Sequence, residues 1–216
     1  MNETMNMQTP FAAYDSGAGT LTVARKTLVD AILESKRTAG LCESEFELTP
    51  HGGHEFKCQG DGFVFKEVWY GGDFEFAVSE VLSAKFDSGR IIPVWFMEAR
   101  GWRTGNYGEA DVPDPALVIS ALGEALGKPS LKFPSRGPLA PKGVELDGHP
   151  GFVYYNRVNP RSSSKGFFAE GAEEIHYNGK KVYRGKWRYG LLRAERANSI
   201  VLVGEMPREE TKLRRG

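Results

Sequence analysis

The fold is decided by EEIHYNGKKVYRGKWRY, residues 173–189, in which two strand-like runs flank Asn178-Gly179. Asn-Gly supplies the positive φ angles of a two-residue type I′ turn, so this stretch predicts a β-hairpin. A two-residue loop also fixes which residues face each other across the strands. The expected pairs are Tyr177 with Lys180, His176 with Lys181, Ile175 with Val182, Glu174 with Tyr183 and Glu173 with Arg184.

This register sorts the side chains of the hairpin onto two faces, because opposite residues of a strand pair share a face. One face is aromatic and is expected to be buried; it collects His176, Glu174, Tyr183, Trp187 and Tyr189. The other face is expected to be solvated; it collects Glu173, Arg184, Lys186 and Arg188. Glu174 and His176 are therefore predicted to point toward the buried side.

A second hairpin is predicted in FEFAVSEVLSAKFDSGRIIPVWFMEA, residues 74–99, around a four-residue turn at Asp87-Ser88-Gly89-Arg90. The expected pairs are Phe86 with Ile91, Leu82 with Trp95 and Glu80 with Met97. Glu80 is the single carboxylate on the apolar side of this hairpin. A buried carboxylate must lose its charge, pair with a cation or accept several hydrogen bonds.

The remaining chain predicts more strands and two helices. Apolar residues at helical spacing run from Thr20 toward Gly40, and a second helix is indicated by Asp114 as cap, Pro115 at the first position and Gly127 at the end. The other predicted strands are HEFKC, GFVFKEVWY, GFVYYNRV and SIVLV. The expected fold is α+β, a curved antiparallel sheet built from hairpins with two packed helices.

The length of 216 residues favours one domain. We expect a flexible N-terminal arm at 1–19, a single α+β domain at 20–205 and a frayed C-terminal tail at 206–216. Five prolines between residues 128 and 150 argue against a central strand there and favour a loop that covers the sheet.

Charge and hydropathy narrow the classes of function. The 28 basic and 28 acidic residues give zero net charge, which argues against nucleic acid as a partner. No apolar run approaches the ~20 residues that cross a bilayer, so no membrane association is expected. The opening residues MNETMNMQTPFAAYDSGAGT carry acid and no apolar core where a signal peptide needs a basic and then an apolar region. We therefore expect a cytoplasmic protein.

Three segments resemble a family of bacterial domains of unknown function: GHEFKCQGDGFVFKEVWYGGDFEFAVSEVL, IIPVWFMEARG and GAEEIHYNGKKVYRGKWRYG. The resemblance covers roughly residues 54–190, and it implies a fold and no activity. In some relatives this domain follows a helix-turn-helix of the xenobiotic-response-regulator type. Residues 1–53 contain one clear helix where DNA reading requires a helix pair, so no DNA-reading head is expected here.

Cys42, His51, His54 and Cys58 fall in one short segment with the order Cys-x8-His-x2-His-x3-Cys. Their residue types suit a tetrahedral zinc ion. The spacing matches no standard zinc finger, and Gly52-Gly53 is typical of a turn. A metal site and a hairpin turn with incidental thiols both remain open.

The main functional hypothesis is a small-molecule-binding or sensory module with an aromatic-lined pocket. Its candidate ligand-binding residues are Glu80, Trp95, Glu174, His176, Tyr183 and Trp187. One alternative is an enzyme that uses the buried carboxylates for acid–base chemistry. Another is a protein or nucleic-acid interaction module that uses the Arg184, Lys186 and Arg188 face. The common hydrolase, metalloprotease and dehydrogenase motifs do not occur, so the sequence identifies neither a catalytic residue nor a cofactor.

Overall fold

The computed structural model describes residues 6–41, 47–72, 75–104, 112–129, 136–162, 167–192 and 199–204. The helices in these ranges are α1 (Arg25–Leu41) and α2 (Pro115–Leu126). The strands are β1 (Asn6–Gln8), β2 (Ala12–Asp15), β3 (Thr20–Ala24), β4 (Glu47–Leu48), β5 (His54–Gly60), β6 (Phe63–Gly71), β7 (Glu75–Lys85), β8 (Ile91–Arg103), β9 (Ala140–Glu145), β10 (Phe152–Val158), β11 (Ala169–Tyr177), β12 (Lys180–Leu191) and β13 (Ser199–Val203). The predicted α+β class is confirmed.

The larger sheet has nine strands in the order β4-β5-β6-β7-β8-β12-β11-β10-β9, and all its neighbours are antiparallel. A helix followed by a meander of strands occurs twice along the chain, first as α1 with β4 to β8 and then as α2 with β9 to β12. The last strands of the two meanders, β8 and β12, pair with each other. We call this pairing the seam. It places the two halves of the chain in one continuous sheet.

The smaller sheet has the order β1-β2-β3-β13 and packs at one end of the first meander. The ring of Phe11 lies 5.8 Å from that of Phe63, and the guanidinium of Arg90 lies 4.2 Å from the ring centre of Tyr14. β1 and β2 lie within the segment that we expected to be a flexible arm. β3 occupies residues expected to be helical, because Leu21 and Val23 alternate with partly exposed residues and are both fully buried.

The helix predicted from its end signals is confirmed at α2. The Asp114 side chain accepts a hydrogen bond from the backbone N–H of Ala116 at 2.8 Å, and Pro115 is the first helical residue. The buried residues of α2 are Val118, Ala121, Leu122 and Ala125. The proline-rich segment contributes β9, and this strand lies at the edge of the sheet, where proline is tolerated.

A β-bulge changes the register of the hairpin that carries the Asn-Gly turn. Tyr177 pairs with Lys180 and His176 with Lys181, as predicted. Val182 is an extra residue on β12, so Ile175 pairs with Tyr183. Beyond this bulge the predicted pairs of Glu174 with Tyr183 and Glu173 with Arg184 are wrong. The observed pairs are Glu174 with Arg184 and Glu173 with Gly185.

Because side chains alternate along a strand, this one-residue shift places the β11 residues beyond the bulge on the face opposite to the predicted one, while the β12 residues keep their predicted faces. Glu173 lies on the face that carries the buried side chains, which we call the inner face. Glu174 is only partly buried and lies on the opposite, outer face. The prediction had assigned these two glutamates the other way round.

A second bulge lies in the hairpin of β7 and β8. Leu82 pairs with Trp95 and Glu80 with Met97, as predicted. Val94 is the extra residue, so Ile91 pairs with Lys85 and is half exposed, while Ile92 is buried. The predicted pairing of Phe86 with Ile91 is therefore wrong, although the assignment of Glu80 to the buried face is correct.

Candidate functional site

A closed polar cluster lies inside the second meander, around Glu173. Arg136 donates to both carboxylate oxygens of Glu173, at 3.2 Å from Nε and 2.5 Å from a terminal nitrogen. The hydroxyls of Tyr154 and Tyr183 each donate to the same carboxylate at 2.9 Å. All four side chains are at most 3% exposed.

The electrostatics of this cluster keep Glu173 ionised. Burial alone would raise the pKa of Glu173, but the charge of Arg136 and the hydrogen bonds from Arg136, Tyr154 and Tyr183 hold it below its usual value. Burial, followed by the nearby carboxylate, raises the pKa of both tyrosines well above the usual value. With its acceptor sites occupied, Glu173 is a structural anchor and does not act as an acid or a base.

A second carboxylate cluster lies inside the first meander. Glu80 on β7 is directly opposite Glu67 on β6, and one oxygen of Glu80 lies 2.5 Å from Nζ of Lys36 on α1. The other oxygen, Oε2, is buried and has no hydrogen-bond partner among the described residues.

The pKa of Glu67 is raised to about 7, and its neighbours explain the direction. Loss of hydration is the largest cause, and repulsion from Glu80 adds to it, while Lys36 and Arg136 oppose the shift. Glu67, which faces Glu80 across the two strands, therefore keeps its proton at a higher pH than an ordinary glutamate does.

The two clusters occupy corresponding positions in the two meanders. In each half a buried glutamate on the next-to-last strand binds a cation from outside the sheet, either Lys36 or Arg136. The residue facing Glu80 is Glu67, whereas the residue facing Glu173 is the neutral Asn156. Asn156 is satisfied: it donates to the carbonyl of Gly137 and accepts from the indole of Trp187, each at 3.1 Å. The first meander therefore has an additional carboxylate, that of Glu67, at the position that the neutral Asn156 occupies in the second meander.

The predicted ligand-binding residues do not face one cavity. Glu80, Trp95, Tyr183 and Trp187 are buried on the inner face, each at most 3% exposed. Glu174 and His176 lie on the outer side, where Glu174 contacts Lys181, Arg157 at 3.4 Å and His176 at 3.3 Å. The prediction that Glu174 points toward the buried side, where Glu80 lies, is wrong, and the bulge at Val182 is the cause. The carboxylate that faces Glu80 is Glu67, which sequence reasoning missed.

The structure does not bring the predicted metal ligands together. His51 and His54 are exposed, and Cys58 lies four residues beyond His54 on β5, which separates their backbones by roughly 13 Å. Cys42 lies outside the described residues. Within the described ranges, no group of three or more His, Cys, Asp or Glu side chains is arranged to hold a metal ion.

The outer face contains an open trough of about 900 Å³ that crosses six strands and the seam. Successive cross-strand pairs form one row of its lining: Tyr70, Ala77, Arg100, Lys186, Ala172 and Arg157. Ala172 leaves space between Lys186 and Arg157, and Ala77 leaves space between Tyr70 and Arg100. Sequence reasoning placed Lys186 correctly on a solvated face but did not find the row, because the row depends on the pairing of β8 with β12.

Three of the four basic side chains that line the trough pair with an acidic side chain. Arg188 binds Glu98 at 2.6 Å, Arg100 binds Glu75, and Arg157 reaches Glu174 at 3.4 Å. Lys186 lines the middle of the trough and has no acidic partner among the described residues. Its ammonium group is therefore available to an anion from solution.

Comparison with protein-family models, with curated proteins and with solved structures finds no match to this chain. The resemblance to bacterial domains of unknown function stays a prediction. Neither of the described helices is both long enough and apolar enough to cross a membrane.

Proposed function

We propose that this protein is a ligand-binding module and that its binding site is the trough on the outer face. This proposal keeps the predicted class of function and moves the site away from the aromatic core. The volume of about 900 Å³ suits a small organic molecule, since ligand pockets commonly measure about 300–1,000 Å³. The buried aromatic residues then serve as core beneath the site.

The chemistry of the lining favours an anionic ligand with an apolar, planar part. Lys186 carries this proposal, because it is the cation of the trough without an acidic partner among the described residues. Arg100 is its direct neighbour across the seam, and Arg157 lies two strands away, at roughly 10 Å. Between and beyond these cations, Ala77, Ala172 and Pro160 offer apolar surface.

Removing the charge of Lys186 should weaken the binding of an aromatic anion. A suitable probe is 8-anilinonaphthalene-1-sulfonate, which combines a planar apolar body with one sulfonate and fluoresces when shielded from water. We expect Lys186→Gln to raise its dissociation constant by about three- to tenfold, because about 1 kcal/mol of charge-assisted interaction is lost. Fluorescence titration of the folded protein measures this change.

The matched control is Lys142→Gln, which removes an exposed lysine on the edge strand β9. It should leave the dissociation constant unchanged. Near-ultraviolet circular dichroism shows whether each variant keeps its native packing, because this probe also binds partly unfolded protein. Equal affinity of the wild type and Lys186→Gln, with native packing in both, would remove the trough as the site.

A second candidate function, acid–base catalysis, is favoured by the pairing of Glu67 with Glu80. An enzyme of this kind needs one carboxyl group that keeps its proton near working pH beside a second one that does not. The pKa of about 7 at Glu67 supports the first part of this requirement, a carboxyl group that keeps its proton. Carboxyl carbon NMR of the protein labelled on glutamate tests the hypothesis directly. Two carboxyl groups that are both ionised at pH 5.5 would end it.

A further inference from the structure

Three polar side chains outside the trough and the carboxylate clusters form a continuous hydrogen-bonded chain. Ser120 and Glu124 lie one turn apart on α2, and His149 lies in the turn between β9 and β10. Nδ1 of His149 lies 2.8 Å from Oε2 of Glu124, and Nε2 of the same ring lies 3.0 Å from Oγ of Ser120. The histidine thus connects the carboxylate to the hydroxyl.

The surroundings of Glu124 decide which ring nitrogen of His149 carries the proton. The hydrogen bond from His149 is the largest cause that lowers the pKa of Glu124 to about 2, with further contributions from Lys128 and the backbone N–H of Gly148. An ionised carboxylate only accepts hydrogen bonds, so the neutral ring must donate from Nδ1. Nε2 is then the acceptor, and the hydroxyl of Ser120 donates its hydrogen to it.

This is the relation of nucleophile, base and orienting carboxylate that activates a serine hydroxyl for acyl transfer. The carboxylate is itself held in place, since Lys128 binds its other oxygen at 3.0 Å and Gly148 donates at 3.1 Å. The edge of the His149 ring packs against Phe152 at 5.9 Å, which restricts its rotation.

Ser120 is accessible to a reagent from solution. Its side chain is exposed on α2, and the neighbouring Gly123 faces open space, because a Cβ atom built there would meet no atom within 4 Å. An acyl group on Ser120 therefore has room beside it.

We propose that Ser120 is a reactive nucleophile that accepts the acyl group of an activated carboxylic ester. Oγ forms the new ester bond to the carbonyl carbon, the bond to the leaving oxygen breaks, and the hydroxyl proton passes to Nε2 of His149. His149 returns this proton to the departing oxygen or to solvent. Water releases the acid from the serine by the same steps, with Nε2 accepting the proton of the water. Glu124 acts as a positioning residue.

The test is incubation of the intact protein with p-nitrophenyl acetate, followed by peptide mass mapping. We expect Ser120 to be acetylated about 100-fold faster than Ser16, an exposed serine in the turn after β2, because general-base assistance contributes about 10²–10⁴ in rate. This comparison within one protein needs no variant. Equal acetylation of Ser120 and Ser16, or none at either residue, would overturn the proposal.

Variants separate the roles of the three side chains. Ser120→Ala should remove the acetylated peptide, and His149→Gln should slow acetylation of Ser120 about 100-fold. Glu124→Gln should slow it about tenfold or more, and ¹⁵N NMR of the His149 ring should show loss of the dominant Nδ1–H form. Unchanged acetylation in His149→Gln would refute the activation by histidine. The wild-type mapping still decides the proposal if a variant fails to fold.

Discussion

Replacement of Arg136 by methionine is expected to lower the free energy of unfolding by about 3–5 kcal/mol. Arg136 is the cation that binds both oxygens of the buried carboxylate of Glu173. Methionine fills a similar volume but leaves that carboxylate charged and buried, with the hydroxyls of Tyr154 and Tyr183 as its remaining donors among the described side chains. Urea denaturation followed by tryptophan fluorescence measures the loss.

Two further variants show whether the loss comes from the unpaired charge. Adding Glu173→Gln to Arg136→Met should recover about half of the lost stability, because glutamine is neutral and still hydrogen-bonds to both tyrosines. Arg157→Met breaks a pair with Glu174 in which the arginine side chain is 52% exposed, and it should cost about 0–1 kcal/mol. Equal losses in Arg136→Met and Arg157→Met would contradict the account of the buried cluster.

Replacement of Glu67 by glutamine is expected to stabilise the protein at pH 8 and to change little at pH 4. The pKa of Glu67 is about 7 in the fold and 4.5 in a free side chain. Between these values the folded protein holds a proton that the unfolded chain has lost, so wild-type stability falls as pH rises from about 4.5 to 7. The gain from Glu67→Gln should reach at most about 3 kcal/mol, since one pKa unit corresponds to about 1.4 kcal/mol.

Urea titrations of both proteins at pH 4, 6 and 8 measure this difference. The control is Glu145→Gln on the edge strand β9, where the side chain is exposed and the effect should stay within about 0.5 kcal/mol at each pH. A stability gain from Glu67→Gln that is the same at pH 4 and pH 8 would show that burial and Glu80 do not raise the pKa of Glu67.

Local signals in the sequence predict the elements of this fold well. The cap at Asp114, the first-turn proline and the alternating runs predict α2 and eight of the strands, because each signal lies within a few residues of the element it defines. β4 and β9, at the two edges of the larger sheet, were missed as strands, and so were β1, β2 and β3 of the smaller sheet. The stability of these last three strands depends on pairing with one another and on the parallel pairing of β3 with β13, about 180 residues away.

The candidate sites were harder to predict, because they depend on contacts that no local pattern contains. Glu173 and Glu174 are adjacent and chemically identical, and only the bulge at Val182 decides which one is buried. The row through Lys186 requires the pairing of β8 with β12, and the contact of Ser120 with His149 joins residues on separate elements. Residue types were sufficient to nominate Glu80, and long-range geometry was needed to find its partner Glu67.

The seam governs the order in which this protein can fold. Each meander is built from hairpins between neighbouring segments, and such hairpins form in about 1–10 μs. The seam instead joins strands that lie on the order of 90 residues apart, so it closes only after the chain has lost much more conformational freedom. During synthesis on the ribosome, β8 presents an unpaired edge until β12 has emerged. This interval is when the growing chain is most exposed to pairing with a neighbour and to aggregation.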